Sequence, residues 1–146
     1  MTDHQDSALS RPLLVFDGDC GFCTTSVNWA ARHFRQPVDV EPWQRLDLDA
    51  LGLTARDVER YAWWIEPAGE SGSDELRKWR GHRAAGRALR SFGGLWPWAG
   101  ALLLAPPPLS WLWATGYRLV STFRGYLPGG TPACRLPPAK RSADDP

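Results

Sequence analysis

Cys20 and Cys23 stand three residues apart in Cys20-Gly21-Phe22-Cys23, directly after Asp17-Gly18-Asp19. Two thiols at that spacing can close a small disulfide ring. A thiol at the start of a helix is biased towards the thiolate, the form that attacks disulfides. The flanking residues predict such a placement. Leu13-Leu14-Val15-Phe16 is a short apolar run that reads as a buried strand, and Asp17 to Asp19 turn the chain. From Phe22 onward, Val27, Ala30, Ala31 and Phe34 mark one face of a helix, ended by Pro37. A strand-to-helix junction carrying two cysteines is suited to thiol–disulfide exchange.

The roles follow from position. Cys20, nearer the helix N-terminus and expected to be the more exposed, is the attacking thiolate; Cys23, one turn deeper, resolves the mixed disulfide. Asp17 and Asp19 complicate this, because a carboxylate beside Cys20 holds the proton on sulfur and opposes the helix dipole. Asp17, if buried beneath the pair, can accept a proton from Cys23 during resolution. Asp19 reads as the helix cap. Two other readings of the pair stay open. Zinc needs about four ligands, and the remaining candidates, Cys134, His4, His33 and His82, are scattered without ligand spacing. His33 lies about 15 Å along the helix from Cys23. The thiols can also be ordinary small core residues. Cys134 is either a third redox thiol that exchanges with Cys20 or Cys23, or a lone thiol on the tail.

The rest of the chain bounds the class. Its 146 residues suffice for one domain with a real core, and 43% hydrophobic content excludes both a disordered chain and a membrane bundle. A formal charge of +1 does not call for a nucleic-acid partner. Three cysteines cannot all pair within one chain, which argues against a secreted disulfide scaffold. Met1 to Arg11 has no apolar core of a signal peptide, so a cytoplasmic setting is expected. The longest apolar run, Leu95 to Ala105, stops at Pro106-Pro107-Pro108, short of the roughly 20 residues that span a bilayer. Nine tryptophans are many for this length; they are expected as core and interface side chains, or as an exposed aromatic surface for lipid or a partner.

The elements that position the cysteines read in order. Val38 to Glu41 is a second strand, and Thr54 with Asp57 resembles a capping box opening a small helix after the turn Leu48 to Leu53. Tyr61 to Glu66 is a third strand. A loop through Pro67-Ala68-Gly69 and Ser71-Gly72-Ser73 leads to a hairpin partner, Leu76 to Trp79. Gly81 precedes a helix from about Arg83 to Phe92, closed by Gly93-Gly94. Two βα units followed by a hairpin and a helix form an α/β layer with a mixed sheet, the thioredoxin-like arrangement. Leu95 to Ala105 and Leu109 to Arg124 add a helical C-terminal extension. Residues 1–11 are expected to be a flexible N-terminus, 12–127 a single domain including the extension, and 128–146 a loosely ordered tail.

Phe16-Asp17-Gly18-Asp19-Cys20-Gly21-Phe22-Cys23 resembles the opening motif of the DCC family of thiol–disulfide oxidoreductases, named for an Asp-Cys-Cys signature. The resemblance runs from about Leu13 to Pro137. It takes in Gly81 with Ala84 and Ala85, the Leu95–Trp98 segment, Tyr117 followed by Arg124, and Cys134-Arg135-Leu136-Pro137. It implies a thioredoxin-like fold, redox activity through Cys20 and Cys23, and no metal or organic cofactor. One departure is visible. Thioredoxins place a cis-proline before the third strand, facing the dithiol; the corresponding position, near Arg60, has no proline, and Pro67 comes after the strand.

Two other classes compete. Val15 to Asp19 also matches the first motif of haloacid-dehalogenase-type phosphatases, which needs magnesium, a downstream lysine and a further acidic pair. The only pair of adjacent aspartates is Asp144-Asp145, at the tail. A non-catalytic binding module is the stronger competitor. Arg77, Lys78, Arg80, Arg83, Arg87 and Arg90 form a basic run around Trp79, suited to anionic lipid, nucleic acid or an acidic partner, or simply to a solvated helix face. The sequence thus favours dithiol–disulfide exchange with a thiol or disulfide partner, most simply a protein. Peripheral membrane association is the secondary expectation, and nucleic acid is disfavoured.

Overall fold

The computed structural model describes residues 9–67 and 76–127. Four strands, β1 (Leu13–Phe16), β2 (Asp39–Pro42), β3 (Trp63–Glu66) and β4 (Arg77–Arg80), form one sheet in the order β2-β1-β3-β4. The helices are α1 (Gly21–Ala31), α2 (Ala55–Arg60), α3 (His82–Arg90), α4 (Trp96–Leu103) and α5 (Leu109–Phe123). β1 runs parallel to β2 and antiparallel to β3, and β3 pairs antiparallel with β4. A βαβ unit joined to a β-hairpin and helix in this strand order is the expected thioredoxin-like layer.

The apolar run of β1 follows from burial on both faces. Leu14 and Phe16 join Val27, Trp64, Ala84 and Ala88 under α1 and α3, with Cys23 at the margin of that cluster. Leu13 and Val15 join Leu53, Val58 and Ile65 under α2 on the other face. Period-two alternation along one short strand thus supplies both cores. The Thr54–Asp57 capping box opens α2 with both reciprocal bonds present. Gly81, at φ +60, turns the chain from β4 into α3. α3 and α4 cross closely at Gly86 and Gly100, where a Cβ on Gly100 would come within 2.5 Å of the Gly86 carbonyl oxygen.

Several boundaries differ from the sequence reading. α1 stops at Ala31, well before Pro37, and Phe34 leaves the helical face to form an isolated bridge with Phe92. There it packs against Trp64 at 6.0 Å and Phe92 at 5.1 Å, so tertiary burial overrides local helical spacing. β3 starts at Trp63, because Tyr61 ends α2. α3 ends at Arg90 rather than at the glycine pair; Ser91 caps it, and its hydroxyl donates to the Arg87 carbonyl at 3.2 Å. The expected flexible N-terminus and loose tail, the loop through Ala68 and Ser73, and Cys134 lie outside the described residues, apart from residues 9–11.

Candidate redox site

The turn between β1 and α1 is fixed by one glutamine. Gln44, in the 3₁₀ turn Trp43–Arg45 that follows β2, donates through Nε2 to Asp17 Oδ1 at 3.0 Å and Asp19 Oδ2 at 3.1 Å. Its Oε1 accepts the Gly18 N–H at 3.1 Å. Gly18 has no room for a side chain: a Cβ there would sit 2.8 Å from Pro42 Cβ and 3.0 Å from Gln44 Oε1. The turn is therefore pressed against the end of β2, and Asp17 points inward, only 2% exposed. Its Oδ1 also accepts the Asp19 N–H at 3.2 Å.

Cys20 is the N-cap of α1, in extended backbone conformation, with its carbonyl accepting the Thr24 N–H at 2.9 Å. The expectation that Asp19 caps the helix is corrected here. Asp19 lies one residue too early, and its carboxylate is engaged by Gln44 instead. Cys20 is fully buried whereas Cys23 is half-buried, which reverses the expected exposure of the pair. Cys20 N–H donates to the Asp17 carbonyl at 3.3 Å, which draws the residue in behind the turn.

Arg124, just beyond α5, organises the surroundings of Cys23. Its Nη1 donates to Cys23 Sγ at 3.5 Å, and its Nη2 donates to the Glu59 carbonyl at 3.1 Å. The same Nη2 lies 3.8 Å from Asp17 Oδ2, with the two side chains 11% and 1% exposed. One guanidinium thus bridges the buried carboxylate and the sulfur. Its Nε is buried and makes no hydrogen bond among the described residues. Tyr117, two turns earlier on α5, accepts the Ala62 N–H at 3.2 Å through its hydroxyl. Burial pushes the Tyr117 hydroxyl above its ordinary value, and the nearby Cys23 acts in the same direction, against the Ala62 bond and Arg124.

The structure therefore brings Asp17, Cys20 and Cys23 into one neighbourhood and adds Gln44, Tyr117 and Arg124. Gln44 carries no signal in the sequence. Tyr117 and Arg124 carry a signal only through the family resemblance at the C-terminal end. Of the histidines, His33 packs against Trp29 with ring centroids 4.2 Å apart, and His82 opens α3. Among the described residues no group of three or more His, Cys, Asp or Glu side chains gathers as a metal ion requires.

No curated protein and no solved structure matches the chain. The model of the DCC1-like thiol-disulfide oxidoreductase family matches residues 14–130, which span the dithiol turn, the sheet and the whole helical extension. With its two cysteines at the strand-to-helix junction of a thioredoxin-like sheet, the chain belongs to the DCC1-like thiol-disulfide oxidoreductase family.

Proposed function

We propose that the chain exchanges a dithiol for a disulfide with a thiol or disulfide partner, most simply a protein, in the cytoplasm. Cys20 acts as nucleophile and Cys23 as resolving thiol. The Cys20 thiolate attacks a partner disulfide, whose S–S bond breaks as the mixed disulfide forms and one partner thiolate leaves. Cys23 then attacks the Cys20 sulfur; the Cys20–Cys23 bond forms and the second partner thiolate leaves. The partner gains two electrons and the chain loses them. The reverse sequence oxidises a dithiol, and the two reduction potentials set the direction. Asp17 takes the proton that Cys23 gives up before its attack.

The observation that carries this reading is the contact of Arg124 with both Cys23 Sγ and Asp17. A guanidinium at hydrogen-bonding distance favours the anionic form of a sulfur, the form that resolves a mixed disulfide. The test is trapping. The Cys23→Ser chain, reduced first so that Cys20 can react, should accumulate mixed disulfides with cellular thiol proteins, and Cys20→Ser should accumulate none. Equal recovery from the two variants would reject the assigned roles.

A further inference from the structure

The helical extension is apolar on its outside. On α4 and the residue before it, Leu95, Trp98 and Leu102 are 82%, 77% and 50% exposed. They recur at i, i+3 and i+7, the spacing of a single helix face. On α5, Leu112, Leu119 and Phe123 are 62%, 59% and 49% exposed and form a second stripe, at i, i+7 and i+11. From Leu95 to Tyr117 the sequence holds no charged residue. This far exceeds scattered single exposed apolar side chains.

Charge shows what such a surface suits. Residues 76–143 contain eleven Lys and Arg and no Asp or Glu, whereas residues 1–75 contain six Lys and Arg and fourteen Asp and Glu. The near-neutral total therefore hides two halves of opposite sign. Beside α5 lies an open groove of about 620 Å³, lined by Lys78, Arg80 and Arg83 from β4 and α3 and by Arg118 and Trp111 from α5. Among the described residues no carboxylate lines it. Lys78 is held by the carbonyls of Leu51 and Gly52, and Arg80 lies over the Tyr61 ring. Among the described residues no carboxylate pairs with Arg83 or Arg118. Trp111, 70% exposed, lines this groove and stands one residue, about 100° round α5, from Leu112 of the apolar stripe.

We propose that the α4–α5 surface docks on an anionic lipid membrane, with the exposed tryptophan and leucine side chains in the headgroup–acyl boundary and the Arg83–Arg118 groove taking lipid phosphates. Aromatic and aliphatic side chains beside cations, with no acid between them, are the composition of a helix that lies in a membrane interface. Nucleic acid would match the cations but leave the leucine stripes uncovered. At 8 and 15 residues, α4 and α5 are too short to cross a hydrocarbon layer of about 30 Å, so they lie along the surface.

The experiment is flotation of the full chain with vesicles of phosphatidylcholine alone and with about 30% phosphatidylserine, at low and high salt, beside its oligomeric state without lipid. The chain should float only with the anionic vesicles and be released by salt. Arg83→Gln with Arg118→Gln should weaken retention about 25-fold, at about fivefold per cation removed. Trp98→Ala with Trp111→Ala, both changes on exposed side chains, should abolish it while leaving the urea midpoint unchanged. Absence of flotation on anionic vesicles would overturn the proposal, as would equal retention on neutral ones. So would a dimer in lipid-free solution that the tryptophan pair dissociates, which would assign the surface to a second copy of this chain.

Discussion

Removing the Arg124 charge should make Cys23 a poorer thiolate by an amount that can be worked out. Unit charges about 4 Å apart interact by about 4 kcal/mol at an effective dielectric near 20. Asp17 Oδ2 lies 3.8 Å from the same guanidinium and cancels much of its field at the sulfur. About 1–2 kcal/mol then remains, and about 1.4 kcal/mol moves a titration by one pH unit. In a Cys20→Ser, Cys134→Ser background only Cys23 alkylates. There, Arg124→Gln should raise the midpoint of its pH–alkylation profile by about one unit. Arg124→Lys keeps the charge and should move the midpoint far less. Asp17→Asn removes the competing anion and should move it down.

Stability changes in the same variants but follows a different order. Breaking a buried ion pair from one side costs about 3–5 kcal/mol, and Asp17 keeps its bonds from Gln44 and Asp19, which puts Arg124→Gln at the lower end. Arg124→Lys should also be destabilised, through loss of the fork that reaches Cys23 and Glu59 together. The charge argument is refuted if Arg124→Gln, shown folded by its urea transition, keeps the parent midpoint to within about 0.3 units. It is equally refuted if Asp17→Asn moves the midpoint upward.

The remaining expectations concern the frame of the site. Gly18→Ala should cost about 1–3 kcal/mol in urea denaturation, because its Cβ would collide with Pro42 and Gln44; an unchanged midpoint would mean that the turn is not clamped as described. Thr54→Ala should cost about 1 kcal/mol through loss of the α2 cap. The Asp57 carboxyl is held below its ordinary value of 3.8 by the Thr54 hydroxyl first and the Thr54 N–H second. The folded state therefore binds fewer protons there. Its contribution is complete above that value and is lost as pH falls through the folded value, so the gap between Thr54→Ala and the parent should narrow only in acid. Gly100→Ala should separate α3 from α4 and lower the melting temperature, since its Cβ would meet the Gly86 carbonyl oxygen at 2.5 Å and the Arg90 nitrogen at 2.8 Å.

What the sequence revealed was what local chemistry encodes. The β1 run, the Thr54–Asp57 box and the Cys-x-x-Cys at a strand-to-helix junction each depend on neighbours a few residues away, and the structure holds all three. Local signals failed where distant packing decides. Phe34 has helical spacing but is drawn out to Phe92, and Arg87, read with the basic run, lies 4.0 Å over the Trp79 ring and pairs with Glu66 at 3.8 Å. Tryptophans divide along the same line. Trp64 is core, while Trp98 and Trp111 are exposed, a split that residue type alone does not contain. Cys20 has the sequence position of an exposed nucleophile, yet Gln44 and the buried Asp17 turn it inward.

The segment before β3 shows why the extension belongs to the site rather than beside it. In thioredoxins a cis-proline there presents backbone to the substrate; here the segment is Arg60-Tyr61-Ala62, and side chains from the extension occupy its polar groups. The Glu59 carbonyl accepts from Arg124, the Arg60 carbonyl accepts from Ser121 at 3.2 Å, and the Ala62 N–H is given to Tyr117. Tyr117, Ser121 and Arg124 fall at i, i+4 and i+7, so they form the inner stripe of α5 and its continuation. A partner pairing with this backbone must displace them, and displacing Arg124 also takes the cation from Cys23. The backbone before β3 and the electrostatics at the Cys23 sulfur are therefore set by the same helix, whose opposite face carries the exposed Leu112, Leu119 and Phe123. Whatever binds that outer face acts on the element that holds Arg124 against the redox pair.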